Sequence, residues 1–133
     1  MTSNKENSER YAKELVELAQ RDEIAFQVLR KSSEVDFSII GFHAQQAVEK
    51  LIKAVLTHHG LDFPFTHDLV ALHKILVDAQ IPNPFQIAEV KRLTPYAVTS
   101  RYDLERDVIL DESQARDMVA LAMTWASKII FSK

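Results

Sequence analysis

The sequence predicts an all-α protein: an antiparallel up-and-down bundle of four or five helices, in one domain spanning residues 1–133. Only 2 glycines and 4 prolines occur, too few for the tight turns of a β-sandwich or barrel. Apolar residues recur at helical spacings of three, four and seven over long stretches. A length of 133 residues suits a single hydrophobic core, and no repeat or Ser/Gly-rich linker divides the chain.

The composition limits the classes of function. The chain has no cysteine, which excludes disulfides and thiolate metal sites. Its formal charge of -3 argues against binding nucleic acid through bulk charge, so any contact with RNA would be local. The polar stretch MTSNKENSER is followed by no apolar run, and we therefore expect no membrane anchor and a cytoplasmic location.

Two long helices are predicted in the first half of the chain. The first spans about residues 8–29, and the second runs from about Asp36 to His59. Ser33 and Asp36 can both satisfy free backbone N–H groups at the start of the second helix. Gly60 suits the left-handed position that follows a helix end. The apolar face of the first helix comprises Tyr11, Leu15, Leu18, Ala19, Ala25, Phe26 and Leu29.

The second half contains shorter elements and a final long helix. A third helix is predicted over residues 67–80 with Thr66 as its cap, and the prolines of IPNPF end it. A fourth stretch follows from Pro84, and Thr94-Pro95 interrupts it or starts a new turn. Asp111 with Gln114 is typical of a capping box, so the last helix begins there and reaches the C-terminus.

The second helix combines an apolar arc with a row of polar residues. Positions at 100° intervals place seven residues on the arc that we expect to face the core: Ile40, Ala44, Ala47, Val48, Leu51, Ala54 and Val55. Beside the arc, His43 and Lys50 stack in one row, with Gln46 and Lys53 in a parallel row. We refer to these four residues as the polar strip. It is interpreted either as a solvated helix flank or as a binding surface.

Three segments together resemble a known family. FHAQQAVEKLIKAVLTHHG, FTHDLVAL and LTPYAVTSRYD, in this order and spacing, are similar to the signatures of the HEPN family of nucleotide-binding domains. The resemblance covers most of the chain from about Ser33. It implies an all-helical bundle, commonly a homodimer, that is often encoded beside a minimal nucleotidyltransferase and in some pairs acts as toxin or antitoxin. The matching residues are Phe42, His43, Gln46, Glu49, Lys50, Lys53, Thr66, His67, Asp68, Tyr96, Arg101 and Tyr102.

The resemblance also raises ribonuclease activity, and the sequence departs from that pattern. Many HEPN proteins are metal-independent ribonucleases that carry a histidine four to six residues after an arginine. After Arg101 those positions hold Glu105, Arg106 and Asp107. RNA cleavage through the 2′-hydroxyl needs a group that moves protons near neutral pH. His43 or His67 could supply it from another helix.

The segment around Arg101 has two interpretations. Its alternating charges are typical of an exposed, salt-bridged stretch. Alternatively, Arg101 binds a phosphate and Tyr102 stacks on a base, which suits a nucleotide. The family resemblance further suggests Tyr102 as a target for modification by the nucleotidyltransferase.

A metal-dependent phosphohydrolase is a second enzyme class to consider. His67-Asp68 is a metal-competent dipeptide, and His43 and Asp107 could complete the ligand set. The alternative is that Thr66 and Asp68 cap a helix.

Our leading interpretation is a dimeric HEPN module that binds a nucleotide or a partner protein and is not itself an enzyme. The expected ligand is ATP-like, the expected partner is a minimal nucleotidyltransferase, and no cofactor or metal is expected. The alternatives are a ribonuclease toxin that uses Arg101 and a structural helical adaptor. The predicted binding residues are His43, Gln46, Lys50, Lys53, His67, Asp68, Arg101 and Tyr102.

Overall fold

A computed structural model describes residues 4–97 and 110–132, and those ranges contain helices and no strand. A 3₁₀ turn, Thr94–Ala97, follows the fourth helix. The predicted all-α bundle of four or five helices is confirmed, with five α-helices in the described residues. The α-helices are α1 (Asn4–Leu29), α2 (Phe37–His58), α3 (Leu69–Asp78), α4 (Ile87–Leu93) and α5 (Glu112–Phe131).

Helix α2 is the centre of the bundle. It packs most extensively against α1 and α5, and it also touches α3 and the 3₁₀ turn. The predicted core arc is confirmed, because each of its seven residues is at most 4% exposed. Burying such a continuous apolar face is the main source of stability for a helix in a bundle.

Contacts between helix ends define the directions of the long helices. Arg30, just after α1, donates from Nε to Glu112 Oε1 at 2.8 Å in the first turn of α5. At the other end, Lys13 Nζ lies 5.9 Å from the centre of the Phe131 ring. Helices α1 and α5 are therefore antiparallel. Residues 30–36 connect α1 to its antiparallel neighbour α2, so α2 and α5 run in the same direction.

The predicted caps of α2 and α5 are confirmed. Asp36 Oδ1 accepts the Ser38 backbone N–H at 2.8 Å, and Asp111 Oδ1 accepts that of Ser113 at 2.7 Å. The Gln114 side chain accepts the Asp111 N–H at 3.2 Å, which completes the capping box. Hydrogen bonds from the backbone and hydroxyl of Ser38 lower the pKa of Asp36, and those from the hydroxyl and backbone of Ser113 lower the pKa of Asp111.

The boundaries of three helices differ from the prediction, and one of these is α4, which begins at Ile87 and not at Pro84. Helix α1 begins at Asn4, four residues before the predicted start at Ser8. Helix α3 has 10 residues, and its N-cap is Asp68, whose side chain accepts the Val70 N–H at 2.9 Å. Thr66 instead accepts the N–H of Asp68 at 3.0 Å, so it organises the turn before the helix. The bundle consequently has three long helices and two short ones.

Helices α2 and α3 end in the same way with different residues. Gly60 and Gln80 both adopt positive φ, at 71° and 59°. In each case the following residue, Leu61 or Ile81, donates back to the last turn, as in a Schellman motif. Gly60 matches its predicted role, whereas Gln80 occupies a conformation that costs a side-chain-bearing residue free energy. No helix within residues 4–97 and 110–132 has the length and apolarity to cross a bilayer.

Candidate functional site

Two residues of the polar strip, His43 and Lys50, contact a carboxylate on α1. His43 Nδ1 lies 3.1 Å from Asp22 Oδ1, and Lys50 Nζ donates to Asp22 Oδ2. His43 and Lys50 are two turns apart on one edge of α2, so a single carboxylate on the facing helix reaches both. We call these three residues the Asp22 cluster. It ties α1 to α2.

A fourth residue of the strip, Lys53, contacts the buried carboxylate of Glu49. Glu49 accepts hydrogen bonds from Lys53 Nζ at 3.0 Å and from Gln45 Nε2 at 3.2 Å. His67 Nδ1, from the residue before the α3 cap, lies 2.9 Å from Glu49 Oε1. Gln45 also donates to the His67 carbonyl oxygen at 3.0 Å. We call these four residues the Glu49 cluster, and it fixes the start of α3 against α2.

Gln46 joins the two clusters into one network. Its Nε2 donates to Gln45 Oε1 at 2.7 Å, and its Oε1 accepts from Lys50 Nζ at 3.4 Å. Because each member restrains the next, the network orders side chains that would be free on an ordinary solvated helix flank. The four residues of the predicted strip are thus brought together, along with His67.

The charges of this network are largely compensated. Lys50 pairs with Asp22 and Lys53 pairs with Glu49, so each cation has a carboxylate partner. The Nε2 atoms of His43 and His67 have no hydrogen-bond partner within the described residues, because both rings contact their carboxylates through Nδ1. The network therefore offers directed hydrogen bonds, and it is not a strongly positive patch.

Sequence reasoning missed part of this arrangement. Asp22 was not identified, because it comes from another helix and carries no local signal. The burial of Gln45 and Glu49 was also missed, although the spacing of Glu49 and Lys53 is that of an i, i+4 ion pair. Glu49 was named only through the family resemblance.

Tyr96, also named through the resemblance, is a core residue. Its ring lies against the backbone of α2 at Gly41, where an added Cβ would approach Tyr96 Cδ1 to 2.5 Å. Phe37 packs edge-on against the same ring, with 5.5 Å between centroids. Burial raises the pKa of Tyr96, and the nearby Leu110 backbone opposes part of this rise. The geometry between the two is too poor for a hydrogen bond, so the buried hydroxyl has no hydrogen-bond partner within the described residues. Gly41 is the reason that the ring fits.

The residues considered for metal binding have other partners. Asp68 caps α3, and His67 is paired with Glu49. Within residues 4–97 and 110–132, no group of three or more His, Asp or Glu side chains is arranged to hold a metal ion. Asp107 lies outside the described residues. Arg101 and Tyr102 also lie outside them, so their position relative to the strip stays a prediction.

Together, the five-helix bundle and the network on its central helix define an all-α fold with an ordered polar surface. A protein-family model described as the HEPN domain matches residues 12–124. The chain belongs to the HEPN family, as its motifs predicted, and this membership supports a nucleotide- or RNA-related module. Searches of curated proteins and of solved structures gave no significant match.

Proposed function

We propose that this HEPN protein is a dimeric module that binds a nucleotide or a partner protein through the polar strip and the neighbouring His67. The proposed partner is a minimal nucleotidyltransferase, and the proposed nucleotide is ATP-like. The observation that carries this proposal is the connected network of the Asp22 and Glu49 clusters. A network that orders side chains at a helix surface lowers the entropic cost of binding.

Two histidines supply the proposed recognition groups. The Asp22 and Glu49 carboxylates each engage the Nδ1 atom, which fixes the orientation of the His43 and His67 rings. Their Nε2 atoms are left to bond with a ligand. An adenine or ribose offers donors and acceptors that match such fixed groups.

The compensated lysines favour a specific ligand over a long polyanion. A protein that binds nucleic acid through unpaired lysines and arginines releases counterions and becomes strongly salt-dependent. In this strip, a ligand phosphate has to compete with Asp22 for Lys50 and with Glu49 for Lys53. We therefore expect binding with a weak dependence on salt concentration.

Calorimetric titration with ATP and AMP tests the nucleotide proposal. The wild-type protein should bind at least one of them, and the double variant His43→Ala/His67→Ala should bind roughly tenfold more weakly or worse. His58→Ala removes a histidine from the last turn of α2 outside the strip and is the matched control. Equal affinity in all three proteins would remove the strip as the nucleotide site.

The partner proposal needs a separate experiment. The double variant Lys50→Ala/Arg101→Ala should lose binding to a purified minimal nucleotidyltransferase. Lys74→Ala/Arg116→Ala, which changes two exposed cations elsewhere, should keep it. Intact mass after incubation with the partner and ATP tests whether Tyr102 is modified, and light scattering tests the dimer. Unaltered partner binding by the first variant would contradict the proposed surface.

A ribonuclease that uses Arg101 is the second candidate. It is favoured by the two histidines that a carboxylate orients through Nδ1, since this arrangement prepares Nε2 for proton transfer. RNA cleavage in EDTA, lost in both Arg101→Ala and His67→Ala, would support it over the binding module. A folded protein that neither cleaves RNA nor binds nucleotide or partner would point to a structural adaptor.

A further inference from the structure

A groove separate from the polar strip lies between the C-terminal half of α5 and the chain that leaves α3. It has a volume of about 510 Å³, within the range of about 300–1,000 Å³ that is typical of small-molecule sites. Ile81 and Pro82 form one wall, and Trp125 and Ile129 form the other. His59, at the end of α2, also lines the groove.

The aromatic wall of the groove is held in place. Trp125 Nε1 donates to the Pro82 carbonyl oxygen at 2.8 Å. Phe85 packs edge-on against the indole, with 5.1 Å between ring centroids. A fixed indole whose N–H is already satisfied presents an apolar surface at little further entropic cost.

The groove has one positive charge and no carboxylate among its lining residues. Lys128 is exposed at its edge, and no described acidic side chain pairs with it. Burial lowers the pKa of His59, and the neighbouring His58 adds to this effect, so both favour the neutral imidazole. A neutral imidazole can still donate or accept a hydrogen bond.

We propose that this groove is a binding site for a small organic anion with a flat apolar body, such as an aromatic carboxylic acid. The apolar part lies against Trp125 and Ile129, and the carboxylate pairs with Lys128. The proposal is independent of the function proposed for the polar strip.

The only tryptophan of the chain, Trp125, makes the proposal directly measurable. The probes are 4-phenylbutyrate and its uncharged counterpart 4-phenylbutan-1-ol, titrated into the full-length protein while Trp125 fluorescence is recorded. A saturable change with the acid, at an affinity roughly threefold or more above that of the alcohol, is the expected result. No saturable change, or equal affinity for the two probes, would overturn the proposal.

Two variants locate the charge. Lys128→Met should reduce the affinity for the acid to that for the alcohol, while Lys74→Met, an exposed lysine on α3, should not change it. Ile129→Asp should abolish binding of the acid by placing a negative charge in the groove, and circular dichroism checks that this variant folds. Unchanged binding by Lys128→Met would refute the role of the lysine. A Trp125 emission maximum that shifts as the protein concentration is raised without ligand would indicate a second copy in the groove and would also refute the proposal.

Discussion

The Asp22 and Glu49 clusters are built from the same groups and differ in depth. Each has a carboxylate that engages one histidine through Nδ1 and one lysine through Nζ. The Asp22 side chain is 14% exposed and that of Glu49 5%, whereas the His43 side chain is 26% exposed and that of His67 60%. The deeper carboxylate therefore holds the more accessible histidine.

The two clusters hold different parts of the bundle together. The Asp22 cluster joins two long helices that already share a large apolar interface, so it adds little that packing does not provide. The Glu49 cluster instead anchors the connection before α3, where apolar contacts are fewer, and Gln45 gives its carboxylate an extra donor. We infer that the Glu49 cluster contributes more to stability, and that its more accessible histidine would contribute more to the proposed binding.

Glu49→Ala should have the largest effect. It removes the acceptor of Lys53, Gln45 and His67, and removing one partner of a buried charged pair costs about 3 kcal/mol of unfolding free energy. Urea unfolding measures the change, with the exposed Glu14→Ala on α1 as the control. A loss no larger than that of the control would end the distinction between the two clusters.

Gly41→Ala calibrates that loss on the same helix without altering either cluster. The new Cβ would meet the Tyr96 ring, and overpacking of this kind costs about 1–3 kcal/mol, partly offset by about 1 kcal/mol of helix propensity. The same unfolding measurement should show a net destabilisation of about 1 kcal/mol. An increase in stability would mean that the ring moves aside freely.

Asp22→Ala should cost less than Glu49→Ala, about 1 kcal/mol, because its partners are partly exposed and can turn to water. Double-mutant cycles sharpen the comparison. The coupling between Asp22 and Lys50 should be smaller than that between Glu49 and Lys53. The reverse order would show that the link between α1 and α2 is the stronger cluster.

His67→Ala should have the smallest effect on stability, about 0.5 kcal/mol, because most of its side chain is exposed. If His67 is the main recognition group, the same change should reduce nucleotide affinity more than His43→Ala does. Calorimetric titration of both single variants provides the measurement. A larger binding loss in His43→Ala would transfer that role to the Asp22 cluster.

The parts of the fold that the sequence predicts are those governed by local rules. The α2 and α5 starts follow from Asp36 and Asp111, each able to accept a hydrogen bond two residues ahead. The core arc of α2 follows from helical periodicity. The start of α3 was predicted two residues too early because Thr66 and Asp68 are both good caps. The contacts that favour the second are tertiary: His67 pairs with Glu49, and the Leu69 N–H donates to Thr94 Oγ1 at 3.0 Å.

The site was predicted only along one helix. Periodicity places His43, Gln46, Lys50 and Lys53 on neighbouring rows. It contains no information on what those rows face, so the contact with Asp22, 21 residues before His43, was not accessible. Gln45 and Glu49 look like surface residues by composition, and they are buried because α3 and its preceding turn cover them.

The parallel course of α2 and α5 places their two N-caps at the same end of the molecule. The pKa values of Asp36 and Asp111 in the folded protein lie below those in the unfolded chain. The stability that these two caps contribute is therefore fully present at pH values above the unfolded-state pKa. It is lost as the pH falls through the folded pKa values. The Arg30–Glu112 pair stands at this end too. The two ends of the bundle therefore differ in their response to pH. Acid should fray the end that carries these caps first, and the protection factors of its amides against hydrogen exchange should fall before those at the opposite end.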